Sequence, residues 1–238
     1  MRILRRRADS IAADRDATRR LLSSAADGEP AVRVWAPHRQ VAFGRRDAEL
    51  AGYDRAREVA DDRGFPPIER SVGGRAVAYD GETTLAFARA EPVDDYRTGT
   101  TDRYERAAAA VERALEELGC EPVRGEPDDA FCPGTHSLSA ADGAGDGRRK
   151  IVGIAQRVRR DAALVAGVVL VANRTALADV LEGVYDALGL SLEPASVGTV
   201  ADAGGPADPE PVRRALEDEL VGDAVVGSVA DVSAGSAE

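Results

Sequence analysis

The sequence predicts an α+β fold. Strand-like segments come in runs, helical stretches stand between the runs, and clean strand–helix–strand units of a doubly wound sheet are few. The first element is an amphipathic helix over Ala8 to Ala26, stopped by Asp27-Gly28. Two short strands, Val32 to Ala36 and Gln40 to Gly44, flank a Pro-containing turn, and a second helix covers Ala48 to Gly64 with a glycine stop. From Ile68 to Ala90 the segments IERSV, AVAYD and TLAFARA alternate as strands, with Asp80-Gly81 read as a hairpin turn. A third helix runs from about Asp102 to Leu118, before an acidic Pro/Gly-rich loop at Glu121 to Asp129. HSLSA and RKIVGIAQRVRR are expected as antiparallel strands joined by ADGAGDGR, a Gly/Asp-rich surface turn. Ala163 to Ala172 adds a strand, and helices follow at Leu177 to Leu188 and Pro209 to Leu220. The expected division is a catalytic domain over 1–190, a helical extension packed on it over 191–225, and a disordered tail over 226–238.

At 238 residues, with 44% hydrophobic and 31% charged residues, the chain can bury a sizeable core. The longest apolar run, Ala162 to Ala172, is too short for a bilayer span and fits a buried strand pair. The start, MRILRRRADS, lacks the apolar segment of a signal peptide, and two cysteines make neither a disulfide framework nor a zinc site. A reducing cytoplasm is therefore expected. The net charge of -11 argues against a general nucleic-acid binder, and many carboxylates with few aromatics suit a salt-rich cytoplasm.

That charge pattern accounts for thirty arginines beside one lysine, but not for the position of that lysine, Lys150, eighteen residues after Cys132. Cys132 follows an aromatic and precedes Pro-Gly, so it sits in a turn where a thiol can be exposed, and a nearby ammonium would favour its thiolate. The competing reading is a small buried residue, which is the one given to Cys120. Strict alternation along RKIVGIAQR puts Lys150, Val152 and Ile154 on one face and Ile151, Gly153 and Ala155 on the other. A half-buried lysine aimed into a pocket could polarise an acyl carbonyl; otherwise it is a strand-edge charge. In ERSVGGRAVAYD the paired glycines permit close backbone approach to a ligand, and Arg70 and Arg75 could hold a carboxylate or phosphate; the plainer reading is a bulge with solvated arginines. His136 could serve as a base if its turn folds back, or lie on the surface; no metal-ligand spacing is present in the sequence.

These residues carry a resemblance. ERSVGGRAVAYD with TLAFARA resembles the acyl-binding motif of the lipoate–protein ligase and octanoyltransferase family, within the wider biotin/lipoate A/B protein ligases. RKIVGIAQRVRR is similar to that family's lysine strand, and WAPHRQVAFGRRDAEL to its N-terminal strand pair. FCPGTHSLSA most resembles the cysteine-dependent octanoyl-[GcvH]:protein N-octanoyltransferases. The resemblance implies the biotin/lipoate ligase catalytic-domain fold, a mixed β-sheet flanked by helices. It implies Cys132 as nucleophile and Lys150 as the carbonyl-polarising residue. Substrate would be bound by Arg70, Ser71, Val72, Gly73, Gly74, Arg75, Ala76, Val77 and Tyr79, with Gly153, Ile154 and Ala155 across from them. Val77, Leu85, Phe87, Ile154 and Val168 are candidate walls for the acyl chain.

The implied reaction transfers an octanoyl or lipoyl group to a lysine of a lipoyl-carrier domain. Expected partners are glycine cleavage H protein, 2-oxoacid dehydrogenase E2 or acyl carrier protein, without nucleic acid or membrane. No cofactor is required for this transfer. The alternative is an ATP-dependent lipoate–protein ligase using ATP and Mg; a non-catalytic acyl- or carrier-binding protein is the third. Three departures tell against the ligase: Glu69-Arg70 stands where ligases have two arginines, Tyr79 where many have histidine, and Ala166-Gly167 in place of His-Gly. The Gly-Arg-Gly-Arg-type loop of a biotin ligase is absent from the sequence.

Overall fold

The computed structural model describes residues 1–70, 74–141 and 147–232. Its elements in chain order are β1 (Arg2–Arg5), α1 (Ile11–Ala26), β2 (Ala31–Trp35), β3 (Gln40–Phe43), α2 (Tyr53–Asp62), β4 (Pro67–Glu69), β5 (Val77–Tyr79) and β6 (Thr84–Pro92). They continue with α3 (Thr100–Glu116), β7 (Val123–Arg124), β8 (Ser137–Ala141), β9 (Arg148–Val158), β10 (Ala162–Leu170), α4 (Arg174–Leu188), α5 (Pro209–Val221) and β11 (Ser228–Asp231). Among the described residues these form an eight-stranded mixed sheet ordered β11-β1-β2-β6-β10-β9-β8-β7 and a three-stranded sheet ordered β4-β3-β5. The architecture is α+β, a mixed sheet flanked by helices.

Each face of the large sheet is covered by a different apolar stripe. α3 and α5 bring Val111, Leu115, Leu216 and Leu220 onto Val32, Val34, Phe87, Val152 and Val169. α1, capped by Ser10 accepting from the Ala13 N–H, brings Ala17, Leu21 and Ala25 onto Ala86, Ala88 and Leu164 on the other face. The small sheet packs Val41, Phe43 and Val77 against α2 and α4, and shares that core with Phe131, Val168 and Leu170. The two sheets and α1 therefore face one another across a gap. β10 lies between β6 and β9 with both faces covered, so its run Ala162–Leu170 is nearly continuous in apolar residues.

Several boundaries differ from the sequence reading. The run at 162–172 makes one strand, not a pair, because its length is used in a single nine-residue crossing of the sheet. β2 and β3 belong to different sheets, and β5 pairs with β3 while β6 pairs with β2 and β10. Asp80-Gly81 is thus a sheet-to-sheet crossing and not a hairpin. The second helix begins at Tyr53, because buried Asp47 accepts the Gly44 N–H and holds the chain in turns before it. β7 lies within the expected loop at 121–129 and pairs with β8. β1, which the sequence reading omitted, joins β2 and β11 in parallel. The expected disordered tail is corrected at Ser228–Asp231, whose backbone groups the β1 edge satisfies; residues 233–238 lie outside the described residues.

The crossing at Asp80 is fixed by one carboxylate. Asp80 is buried and accepts from the backbone N–H groups of Glu82, Thr83 and Thr84 and from Asn173 Nδ2 at 2.9 Å. Burial opposes its charge, but these hydrogen bonds and the Thr83 hydroxyl win, and the carboxyl is held below its ordinary 3.8. Its stabilisation is complete above that value and is lost as pH falls through the lower folded one. Asp80→Ala should cost about 2–3 kcal/mol at neutral pH by leaving buried donors unpaired. Urea unfolding would check this, and the deficit should shrink in acid.

Candidate active site

A cavity of about 420 Å³ occupies the gap between α1, the small sheet and the large sheet, within the range of small-molecule sites. Ala42 and Val77 come from the small sheet, Ala86, Leu164 and Val168 from the large one, and Leu22 and Trp35 close it on the α1 side. Polar side chains also line it: Asp14, Arg15, Thr18 and Arg19 from α1, Gln156 and Arg157 from β9, and Gln40, Arg70, Tyr79 and Cys132.

Cys132 sits on a turn in the left-handed region, φ +43°, which a non-glycine residue enters only when its surroundings hold it there. Its N–H donates to the Tyr185 hydroxyl at 2.6 Å, and that hydroxyl donates to the Ala76 carbonyl at 3.1 Å. On the other side, Lys150 Nζ donates to the carbonyls of Phe131 and Cys132, each at 2.8 Å, and to Glu126 Oε2 at 2.6 Å. Glu126 also accepts from the Gly134 N–H at 2.8 Å and the Ser137 hydroxyl at 2.7 Å. One carboxylate and one ammonium thus tie both ends of the 131–137 loop to β9. Phe131, wholly buried, sets its ring 4.8 Å from Lys150 Nζ.

The sulfur points to a separate set of donors. Arg70 Nη2 lies 3.1 Å from Sγ and the Arg75 N–H nitrogen 3.4 Å from it. Gly74, at φ +97°, is required here: a Cβ would stand 2.7 Å from Sγ and 2.6 Å from Arg70 Nη2. Burial works against the Arg70 charge, yet the facing Cys132 and Tyr79 hold its proton above the ordinary guanidinium value. Burial raises both Tyr79 and Tyr185, so each remains a neutral phenol. For Lys150, burial outweighs the partnership with Glu126 and lowers it from 10.5.

The structure brings Arg70, Gly74, Val77, Tyr79, Cys132, Gly153, Ile154 and Ala155 to one cavity. Ser71, Val72 and Gly73 lie outside the described residues. Four residues are placed differently from the expectation. Lys150 is wholly buried beneath the Cys132 turn and does not reach the cavity. Arg75 turns its side chain to buried Asp47, 3.2 Å away, and to the Arg46 carbonyl; Ala76 is buried with its carbonyl on Tyr185. Leu85 packs into the core beneath α3 and α5, while Val77, Phe87, Ile154 and Val168 do line the cavity. Strict alternation also fails on β9. Leu138 pairs with Val152 and Ser139 with Lys150, which leaves Ile151 as a bulge. Ile151 and Val152 therefore both enter the core, and Gly153 comes to lie beside Lys150, its Cβ position 3.9 Å from Nζ.

His136 stacks on Tyr104 with ring centroids 3.9 Å apart, at the cavity wall. Cys120 is a buried core residue. Glu126, Asp47 and Tyr185 were not singled out from the sequence. Glu126 is one acid in an acidic loop, and Tyr185 occupies a core position of α4, so neither residue type carried a signal. A guanidinium and a backbone N–H converging on one accessible sulfur form an arrangement suited to a thiolate nucleophile at the end of an apolar cavity.

Comparison with known proteins bears on the fold and the family. The lipoyl protein ligase A/B catalytic domain matches residues 10–220. An octanoyl-[GcvH]:protein N-octanoyltransferase from Bacillus velezensis is 32% identical over 142 residues, 58% of this chain and 46% of that protein. The one from Lysinibacillus sphaericus is 27% identical over 137 residues, covering 57% and 46%. The chain spans about half the length of these curated relatives. A lipoate-protein ligase A structure bound with ATP superposes with a TM-score of 0.70 at 21% identity, over 92% of this chain and 83% of that one. A bi-partite lipoate protein ligase from Thermoplasma acidophilum gives 0.65 at 23%, over 92% and 82%. These superpositions share the mixed sheet and flanking helices described above, and with a match spanning most of its length the chain belongs to the lipoyl protein ligase A/B catalytic-domain family.

Proposed function

We propose that the chain is an acyltransferase that moves an octanoyl or lipoyl group onto a specific lysine of a lipoyl-carrier domain through a thioester on Cys132. The single observation that carries this reading is the Cys132 sulfur, held by a strained turn at an apolar cavity and met by the Arg70 guanidinium. In the first half-reaction the thiolate attacks the donor carbonyl, the S–C bond forms, and the bond to the donor's amine or thiol breaks. The departing group takes a proton from solvent, which balances the one the Cys132 thiol released to it. In the second, the acceptor lysine's neutral amine attacks the thioester, the new amide forms, and the thiol is regenerated. Amide-to-amide transfer is nearly isoenergetic and thioester-to-amide transfer is downhill, so the cycle needs no ATP.

The relatives' names support a lipoyl carrier of the glycine cleavage H type as one partner; E2 lipoyl domains and acyl carrier protein are the further partners proposed. A thiol that must stay free suits a reducing cytoplasm. Among the described residues no helix is long and apolar enough to cross a membrane.

Initial rates at varied donor and acceptor test the reading. Parallel double-reciprocal lines without ATP support it, whereas turnover that requires free acid and ATP supports the ligase instead. Chain length gives a second check. Each buried methylene contributes about 0.8 kcal/mol, so a hexanoyl donor should bind about 1.6 kcal/mol more weakly than octanoyl, with KM about 15-fold higher.

A further inference from the structure

Lys150 is the cation that the family resemblance assigns to the chemistry, but its hydrogen bonds are already spent. An ammonium has three donors, and here they go to Glu126 and the carbonyls of Phe131 and Cys132. The sulfur draws its donors from elsewhere, from Arg70 Nη2 at 3.1 Å and the Arg75 N–H at 3.4 Å. Arg70 Nη2 also donates to the Arg75 carbonyl at 2.6 Å, which fixes the guanidinium against the sulfur. Arg70 Nε is buried and makes no hydrogen bond.

We propose, resting on the acyl-transfer reading above, that Arg70 is the catalytic cation: its guanidinium holds the Cys132 thiolate, and Lys150 with Glu126 positions the turn that carries it. A guanidinium stays protonated throughout, so Arg70 supplies charge and geometry and exchanges no proton. The thiol proton leaves to solvent. The other titratable groups around the turn do not compete for this role. Lys150 faces the carbonyl side from β9 with Glu126 behind it, and Asp47 is engaged by the Arg75 side chain. Tyr79 from β5 and Tyr185 from α4 are neutral, and His136 on the same loop is stacked on Tyr104.

The test is the pH dependence of Cys132 alkylation by iodoacetamide in the full chain. Peptide mass separates Cys132 from buried Cys120. Arg70→Gln should raise the alkylation midpoint by about one pH unit and slow labelling at neutral pH about tenfold. Arg70→Lys, which keeps the charge, should stay within half a unit of wild type, roughly a threefold change in thiolate. A wild-type midpoint in Arg70→Gln, or equal shifts in the two variants, would overturn the assignment. Should Arg70→Gln not fold, Arg70→Lys decides: a midpoint near wild type supports the proposal and a shift of about one unit or more overturns it. Alkylation does not depend on an acyl donor. A shifted midpoint with no acyl-enzyme would sink the transferase reading and leave Arg70 as the thiolate partner; an acyl-enzyme with an unshifted midpoint would do the reverse.

Discussion

Replacing Cys132 by alanine should abolish the acyl-enzyme and lower octanoyl transfer by about three orders of magnitude or more, since the attacking atom is gone. The fold should hardly notice. The sulfur accepts from Arg70 Nη2 and, more weakly at 3.4 Å, from the Arg75 N–H, and the guanidinium keeps its bond to the Arg75 carbonyl when the sulfur is gone. Alanine at φ +43° bears the same backbone strain as cysteine, and the turn's holders, Tyr185, Lys150 and Glu126, bind backbone atoms or each other. The thermal midpoint should therefore stay within a few degrees of wild type while activity vanishes. Loss of both together would mean that Cys132 is a packing residue.

The second large effect is on stability, and it falls on Glu126. Removing its carboxylate leaves Lys150, with no exposed surface, charged and facing only carbonyls and an aromatic ring. Breaking a buried pair from one side costs about 3–5 kcal/mol, so Glu126→Ala should lower unfolding free energy by about that much. Lys150→Met should cost less. The orphaned Glu126 is 18% exposed and keeps the Gly134 N–H and the Ser137 hydroxyl. The pH dependence has a definite sign. Burial lowers Lys150 below 10.5 in the folded state, and loss of Glu126 lowers it further. The deficit of Glu126→Ala is thus full below the lowered folded value and shrinks as pH rises through it toward the unfolded 10.5. Urea unfolding of both variants at neutral and alkaline pH would check the order and the sign.

What could be read from the sequence had a local cause. α1, α3, α4 and α5 follow from apolar spacing and glycine or Pro/Ser/Asp punctuation, and β8, β9 and β10 from alternation or an unbroken apolar run. The family followed from ERSVGGRAVAYD and RKIVGIAQR, segments in which spacing is itself the signal. What could not be read depended on contacts distant in sequence. The partition of β2 and β3 into two sheets is decided by which strands each meets, not by its own residues. The bulge at Ile151 breaks a pattern that RKIVGIAQR states as regular, and it alone brings Gly153 beside Lys150. Lys150 was singled out correctly as unusual, yet its surroundings come from Glu126 and Phe131, nineteen or more positions away. β11 depends on an open edge of β1 at the opposite end of the chain.

The central claim is the Cys132 thioester, and intact mass tests it most directly. Wild type and Cys132→Ala would each be incubated with an octanoylated carrier protein in the absence of ATP. The account predicts one added octanoyl group on wild type, removed by hydroxylamine, and none on the variant. No adduct on wild type, with carrier modified by either protein once free acid and ATP are supplied, would contradict it and make the chain a ligase.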